Sequence, residues 1–277
     1  MSSFEGKLII INGAASGIGR ATAKLLASHG ALLSLSDVSA EGLQSLRSEL
    51  QETIVPKKGN AEVADPIFTA SFDVRSQEAC HEWIANTVAH FGGRKIDGAA
   101  NLAGVVTLPK AGPCDGRDSN DAEIDFILGV NVKGIINCLR AELPYMREGT
   151  AGIGGGSIVN GGSLSGLMGL GGYMPYVSSK HAVIGITRTV AKEEGPRGIR
   201  VNAIAPGLIN TPLLQGVAEA RGVTASADMY GRGPTAALGR LGSALEVAEV
   251  IAFLLGPQSS FITGVPLVID GGMSAAG

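Results

Sequence analysis

Three cysteines (Cys80, Cys114 and Cys138) and four scattered histidines are all that this 277-residue chain has of the usual disulfide and zinc-binding residues. They are too few and too far apart for a disulfide framework or a metal cluster, so no metal is expected. No apolar run approaches the roughly 18–20 residues of a membrane span. The first residues, Met1 to Lys7, show no basic stretch followed by an apolar one, so no secretory leader is expected and a cytoplasmic location is. Charge is sparse as well. Twenty-two Lys and Arg against 25 Asp and Glu leave a net −3, which offers no footprint for nucleic acid or an anionic membrane. With 45% hydrophobic and 17% charged residues, intrinsic disorder is excluded. Glycine alone is in surplus. Its 41 residues and the 12 prolines stay below the roughly 25–30% that marks low complexity, and no G-X-Y period runs through them.

Short continuous apolar runs alternate with longer helical patterns, the rhythm of βαβ units around a buried parallel sheet. Strands are predicted at 8–11, 32–36, 67–72, 96–100, 157–160, 200–204 and 266–269, and helices at 17–29, 40–50, 77–91, 121–146, 173–194 and 245–255. With no linker or repeat, the expectation is one α/β domain over 1–277: a Rossmann-like, doubly wound parallel sheet of about seven strands with helices on both faces. Two stretches, near 105–120 and 208–242, resist regular structure. Long loops in compact domains commonly serve as lids or binding loops, and here they fall at the carboxyl ends of the strands, where such sheets bind ligands.

The first strand runs into Asn12-Gly13-Ala14-Ala15-Ser16-Gly17-Ile18-Gly19 with a helix directly behind it. A glycine loop between strand and helix lets backbone N–H groups and the helix dipole approach a pyrophosphate; a tight turn with close helix packing would use the same residues. Asp37 ends the second strand 18 residues past Gly19, where a carboxylate can accept from an adenosine ribose or simply cap the next helix. In the first case it repels a 2′-phosphate, and Val38 and Ser39 supply no cation to offset that, which favours NAD over NADP. Tyr176-Val-Ser-Ser-Lys180 places a phenol and an ammonium on one helical face. A cation there would lower the tyrosine toward the working range of a general base, although many such pairs are merely solvated faces. Ser163, 13 residues upstream, lies just past the fifth strand.

In this order, the Gly13/Gly17/Gly19 loop, Asp37, Asp73-Val74, Asn101-Leu-Ala-Gly104, Asn131, Ser163, Tyr176/Lys180 and Pro206-Gly207 with Thr211 resemble the short-chain dehydrogenase/reductase family over nearly the whole chain. The resemblance implies that Tyr176 is the acid/base, lowered by Lys180 and the nicotinamide charge, and that Lys180 also holds the nicotinamide ribose. Ser163 would hold the substrate oxygen, and Asn131 a water that passes protons from Lys180. It further implies a cofactor site made of Gly13, Ser16, Gly17, Ile18 and Gly19, with Asp73 and Val74 at the adenine and Asn101, Ala103 and Gly104 along the cofactor. Pro206 and Gly207 would also belong to the cofactor site; Ile209, after them, would meet the carboxamide through its backbone, with Thr211 also near the cofactor. Taken singly, Asn131 also reads as a helix-bending polar residue and Pro206-Gly207 as an ordinary turn. Two residues depart from the family pattern: Asn12 stands where threonine is usual, and Leu102 replaces an asparagine.

Leu164, Leu167, Met168, Leu170 and Met174, with Leu213, Leu214, Met229, Tyr230 and Leu238 of the second loop, suggest a hydrophobic alcohol or ketone substrate, terpenoid, steroid-like or polyketide in type. Half of them could equally just pack the lid. Oxidation with NAD is the expected direction. An NADPH-dependent ketone reductase, a non-redox NAD(H)-binding sensor or scaffold, and a cyclase are the alternatives. The resemblance implies a homodimer or homotetramer built on the helices near 121–146 and 173–194, and Cys138 on the first of these reads as a small packing residue.

Overall fold

The two-residue period of a strand decides the architecture. In β1 (Leu8–Asn12) Ile9 and Ile11 enter one hydrophobic cluster while Leu8 and Ile10 enter another, and every residue of the strand is buried. A strand apolar on both faces needs cover on both. The computed structural model, which describes residues 4–53, 65–106, 119–150, 154–226 and 236–275, shows that cover. On one face lie α1 (Gly17–Ser28), α2 (Ala40–Thr53) and α8 (Ala244–Leu255), packed through Leu26, Leu46 and Ile251. On the other lie α3 (Gln77–His90), α5 (Gly134–Glu142) and α6 (Met174–Glu194), packed through Trp83, Leu139 and Val183.

The remaining strands of the sheet are β2 (Leu32–Asp37), β3 (Ile67–Ser71), β4 (Gly98–Asn101), β5 (Ser157–Gly161), β6 (Arg200–Pro206) and β9 (Pro266–Ile269). All pair in parallel, in the order β3-β2-β1-β4-β5-β6-β9. The chain winds outward from β1 through β2 to β3, then crosses back to lay β4 on the other side of β1. The loops after β1 and β4 therefore diverge and leave a crevice at the carboxyl ends. The register sets Asn12, Asn101 and Asn160 abreast on β1, β4 and β5.

The seven strands and the doubly wound order match the expectation, and most element ends fall within two residues of it. Two stretches differ. The helix expected over 121–146 is α4 (Asp121–Leu128), a π-helical turn at Gly129–Lys133, α5, and a 3-10 turn at Leu143–Tyr145. The wide turn is held from outside the helix: Asn131 Nδ2 donates to Val105 O and Asn131 Oδ1 accepts from Val105 N, both at 2.8 Å. The second difference lies in the second of the two long loops. Within 208–242 the chain forms β7 (Ile209–Asn210), α7 (Pro212–Ala220) and, at its end, β8 (Gly242–Ser243), which pairs with β7. Thr211 caps α7 by accepting from Leu214 N at 3.4 Å, and Pro212 at the first position suits the helical start. Residues 107–118 and 227–235, with Cys114, Met229 and Tyr230, lie outside the described residues. Among the described residues no helix is long and apolar enough to cross a membrane, and no group of side chains has the makings of a metal site.

Candidate active site

The crevice begins where β1 ends. Gly13 turns left-handed (φ 69°) and Gly17 (φ 51°) opens α1. A Cβ on Gly13 would stand 2.6 Å from Ala103 N, and one on Gly19 would stand 2.1 Å from Gly13 O. Loop, helix and the chain leaving β4 are thus pressed together at distances that only glycine permits. Ser16 is the N-cap of α1 but makes no side-chain cap bond, and no acidic side chain occupies the first turn, so the positive helix end is open to an anion. Asp37 is tied to this loop: Oδ2 accepts from Ala15 N and Oδ1 from Ser39 N, each at 3.0 Å. Each oxygen keeps a further lone pair, so the anchoring leaves room for ribose hydroxyls. The glycine cradle and this carboxylate fit a dinucleotide.

Beyond β5 the chain passes Gly161-Gly162 and reaches Ser163, which caps a short 3-10 turn and accepts from Ser165 N at 3.1 Å. That turn lies close against α6; a Cβ on Gly166 would stand 2.6 Å from Lys180 O. Close packing brings Ser163 to the first turn of α6, where its hydroxyl hydrogen-bonds Tyr176. One turn on, Lys180 is buried, with Nζ donating to Gly161 O at 2.7 Å and lying 5.7 Å from the centre of the Tyr176 ring. Asn131 joins from the π turn: its Nδ2 donates to Ser179 Oγ at 3.0 Å, and Ser179 Oγ donates to Tyr176 O at 2.7 Å. A Cβ on Gly104 would lie 3.3 Å from Lys180 Nζ and 3.4 Å from Asn131 Oδ1, so that glycine keeps the space between them small.

Burial moves the titrations. It brings Lys180 down from 10.5 to about 8, and it raises Tyr176 above the ordinary phenol value, with the Ser163 hydrogen bond offsetting part of the rise. The lowered tyrosine expected from the Tyr/Lys spacing is therefore not a property of the protein by itself. In an apolar pocket desolvation of the phenolate outweighs the ammonium, whose hydrogen bond goes to Gly161 O.

These groups sit at a cavity of about 420 Å³ whose lining includes Ile18, Gly104, Ser163, Tyr176, Lys180, Pro206, Gly207, Ile209 and Thr211. Of the apolar side chains expected around a substrate, Leu164, Met168, Leu170, Leu213 and Leu214 reach it. Leu167, Met174 and Leu238 do not; they are exposed at the surface. Leu102, Tyr173, Val217 and Met273 also line it, with Val106, Ile204 and Leu208. Leu102, one of the two departures from the family pattern, here adds apolar surface. Met273 comes from the far end of the chain and had no local signal.

Three further residues expected along the cofactor have partners inside the protein. The Asp73 carboxylate accepts from Arg75 Nε and Nη2 at 2.8 and 2.6 Å, which holds it below the usual carboxylate range. Val74 packs in the core against α3 and α5. Asn101 faces away from the crevice, inside the sheet: its Nδ2 donates to Glu142 Oε1 at 2.9 Å and Asn160 Oδ1 at 3.2 Å, and its Oδ1 accepts from Asn12 Nδ2. Asn12 Oδ1 in turn accepts from Ala103 N at 2.8 Å, the local bond available to an asparagine at that position. Glu142, overlooked in the sequence, is fully buried, and burial raises it to about 7. Its signal was there: with Ile135, Cys138 and Leu139 it occupies positions i, i+3, i+4 and i+7 of an apolar stripe. Cys138 packs as expected, its Sγ 4.0 Å from that of Cys80.

Comparison with known proteins agrees with this geometry. The family profile described as "Enoyl-(Acyl carrier protein) reductase" matches residues 13–274. The chain is 43% identical over 270 residues to the short-chain dehydrogenase/reductase aba4 of Botryotinia fuckeliana, covering 97% of each. It superposes on the crystal structure of levodione reductase with a TM-score of 0.82 at 36% identity, covering 99% of this chain and 100% of that one. For the 3-ketoacyl-(acyl-carrier-protein) reductase of Brucella melitensis, a complex with NADH, the TM-score is 0.81 at 30% identity, with 98% and 100% covered. The chain belongs to the short-chain dehydrogenase/reductase family, whose members are oxidoreductases that work with a nicotinamide cofactor.

Proposed function

We propose that this protein interconverts a secondary alcohol and a ketone on a small hydrophobic substrate, with NAD as cofactor and oxidation as the favoured direction. The observation that carries the reading is the convergence of Ser163, Tyr176 and Lys180 on one apolar cavity beside the glycine loop. In this reading Ser163 holds the substrate oxygen, and Tyr176 takes the alcohol proton or returns it to the ketone. Lys180 and Asn131 support that proton movement from behind. The nicotinamide, when bound, accepts or supplies the hydride. Asp73 and Val74 would meet the adenine through the chain they share at the end of β3, while Asn101 supports the loop from within the sheet.

Preference for NAD follows from Asp37. Its carboxylate stands at the loop, the side chains around it (Ala15, Ser16, Val38 and Ser39) carry no positive charge, and the Arg20 guanidinium is engaged with Ala15 O, Gly42 O, Ser45 and Glu49. A 2′-phosphate would meet one uncompensated negative charge. The apolar wall supports a bulky alicyclic or terpenoid-like alcohol over a sugar. A cytoplasmic homodimer or homotetramer is proposed with it.

The test is calorimetric titration of the purified protein with NADH and with NADPH at one salt concentration, followed by turnover of NAD with bulky secondary alcohols and with sugar alcohols. Tight NADH and weak NADPH binding, with the bulky alcohols preferred, is the expected result. Preference for NADPH would overturn the argument from Asp37, and preference for a sugar alcohol would overturn the substrate class.

A further inference from the structure

Glu142 closes α5 with its carboxyl wholly inside the protein. Oε1 accepts from Asn101 Nδ2, while Oε2 is buried without a hydrogen-bond partner among the described residues. An unanswered buried carboxyl oxygen costs free energy, and an apolar residue would complete the stripe it interrupts. Stability alone does not call for a carboxyl at this position.

Its bond to Asn101 is compatible with one direction only. An asparagine can offer either its oxygen or its nitrogen to a neighbour, so three amides abreast on β1, β4 and β5 can form a ladder that runs either way. At one end Thr187 gives its proton to Val183 O at 2.8 Å and accepts from Asn160 Nδ2 at 3.0 Å, which turns Asn160 Oδ1 toward Asn101. A carboxylate only accepts, and a neutral carboxyl with its proton on Oε2 still accepts at Oε1. Asn101 therefore faces both Glu142 and Asn160 with its NH2 group and presents Oδ1 to Asn12. Asn12 is left with its own oxygen for the Ala103 N–H. In the reversed ladder Asn12 would meet that N–H with another donor. Ala103 is the residue against which Gly13 is pressed.

We propose that Glu142 is a positioning residue: by accepting from Asn101 it locks, together with Thr187 at the far end, the direction of the Asn160–Asn101–Asn12 amide ladder and so holds the Ala103 amide and the glycine loop in the shape that binds the nicotinamide cofactor. This inference rests on the reading of the glycine loop as the cofactor site.

The experiment measures the NADH dissociation constant and the melting temperature of the full-length protein with Glu142→Gln, Glu142→Leu and Asn101→Ala. Glu142→Gln can offer its own carbonyl oxygen to Asn101, and its affinity is expected within about threefold of wild type. Glu142→Leu is expected to bind NADH about tenfold more weakly without losing stability in proportion, and to have no further effect once Asn101 is alanine, because the two side chains act in one chain. Glu142→Ala takes its place if the leucine variant does not fold. Wild-type NADH affinity in Glu142→Leu, or effects of the two substitutions that simply add, would overturn the ladder while leaving the cofactor reading intact. A wild type that binds neither NADH nor NADPH would overturn both.

Discussion

Replacing Lys180 with methionine should make the protein more stable as it makes it inactive. Lys180 is 5% exposed and burial brings its ammonium from 10.5 to about 8. Below pH 8 the group is charged in both the folded and unfolded chains, and the folded state carries a penalty of about 3 kcal/mol for that buried charge. As the pH rises from 8 toward 10.5 the folded chain releases the proton while the unfolded chain still holds it, so wild-type stability climbs and the penalty disappears. Methionine is similar in length, flexible and uncharged, and removes the penalty. It also removes the bond from Nζ to Gly161 O, worth about 1 kcal/mol. The net gain near pH 7 is about 2 kcal/mol, or about 3 °C in Tm for a chain of this size. Parallel thermal melts of both proteins without cofactor, at pH 7 and again near pH 10, provide the assay. The variant should melt higher at pH 7, with the advantage largely gone at pH 10, and should show no turnover. A variant melting at or below wild type at pH 7, or an advantage independent of pH, would refute the reasoning.

Tyr176→Phe keeps the ring that packs beside Lys180 and removes the hydroxyl bonded to Ser163. It should lower turnover about a thousandfold, within the usual range for a lost acid/base, while the NADH affinity found by titration stays near wild type. Gly19→Ala drives a Cβ to 2.1 Å from Gly13 O and should destabilise the fold by about 3 kcal/mol and abolish NADH binding, as measured by denaturant unfolding and calorimetry. Gly216→Ala, in the middle of α7 with nothing within 4 Å of the new carbon, should instead stabilise by up to about 1 kcal/mol in the same assay and leave binding unchanged.

What the sequence determined by itself was whatever depends on near neighbours. Leu8 to Ile11 is apolar without a break, which calls for a strand covered on both faces. Glycines at 13, 17 and 19 permit a turn that no other residue could make. Tyr176 and Lys180, four apart on a helix, share a face wherever that helix lies. Even α7 had its mark, Thr211-Pro212, lost among the irregular residues around it. Tertiary structure decided the rest, because the partners are distant in the chain. The helix over 121–146 widens into a π turn around Asn131, where Val105 takes both ends of its amide. Asn101 turns into the sheet rather than the crevice because Asn12, Glu142 and Asn160 surround it. Met273 joins the cavity from the opposite end of the chain. Spacing put a cation near the tyrosine, but the balance between that cation and desolvation depends on how deeply both groups are buried, which only the packed structure settles.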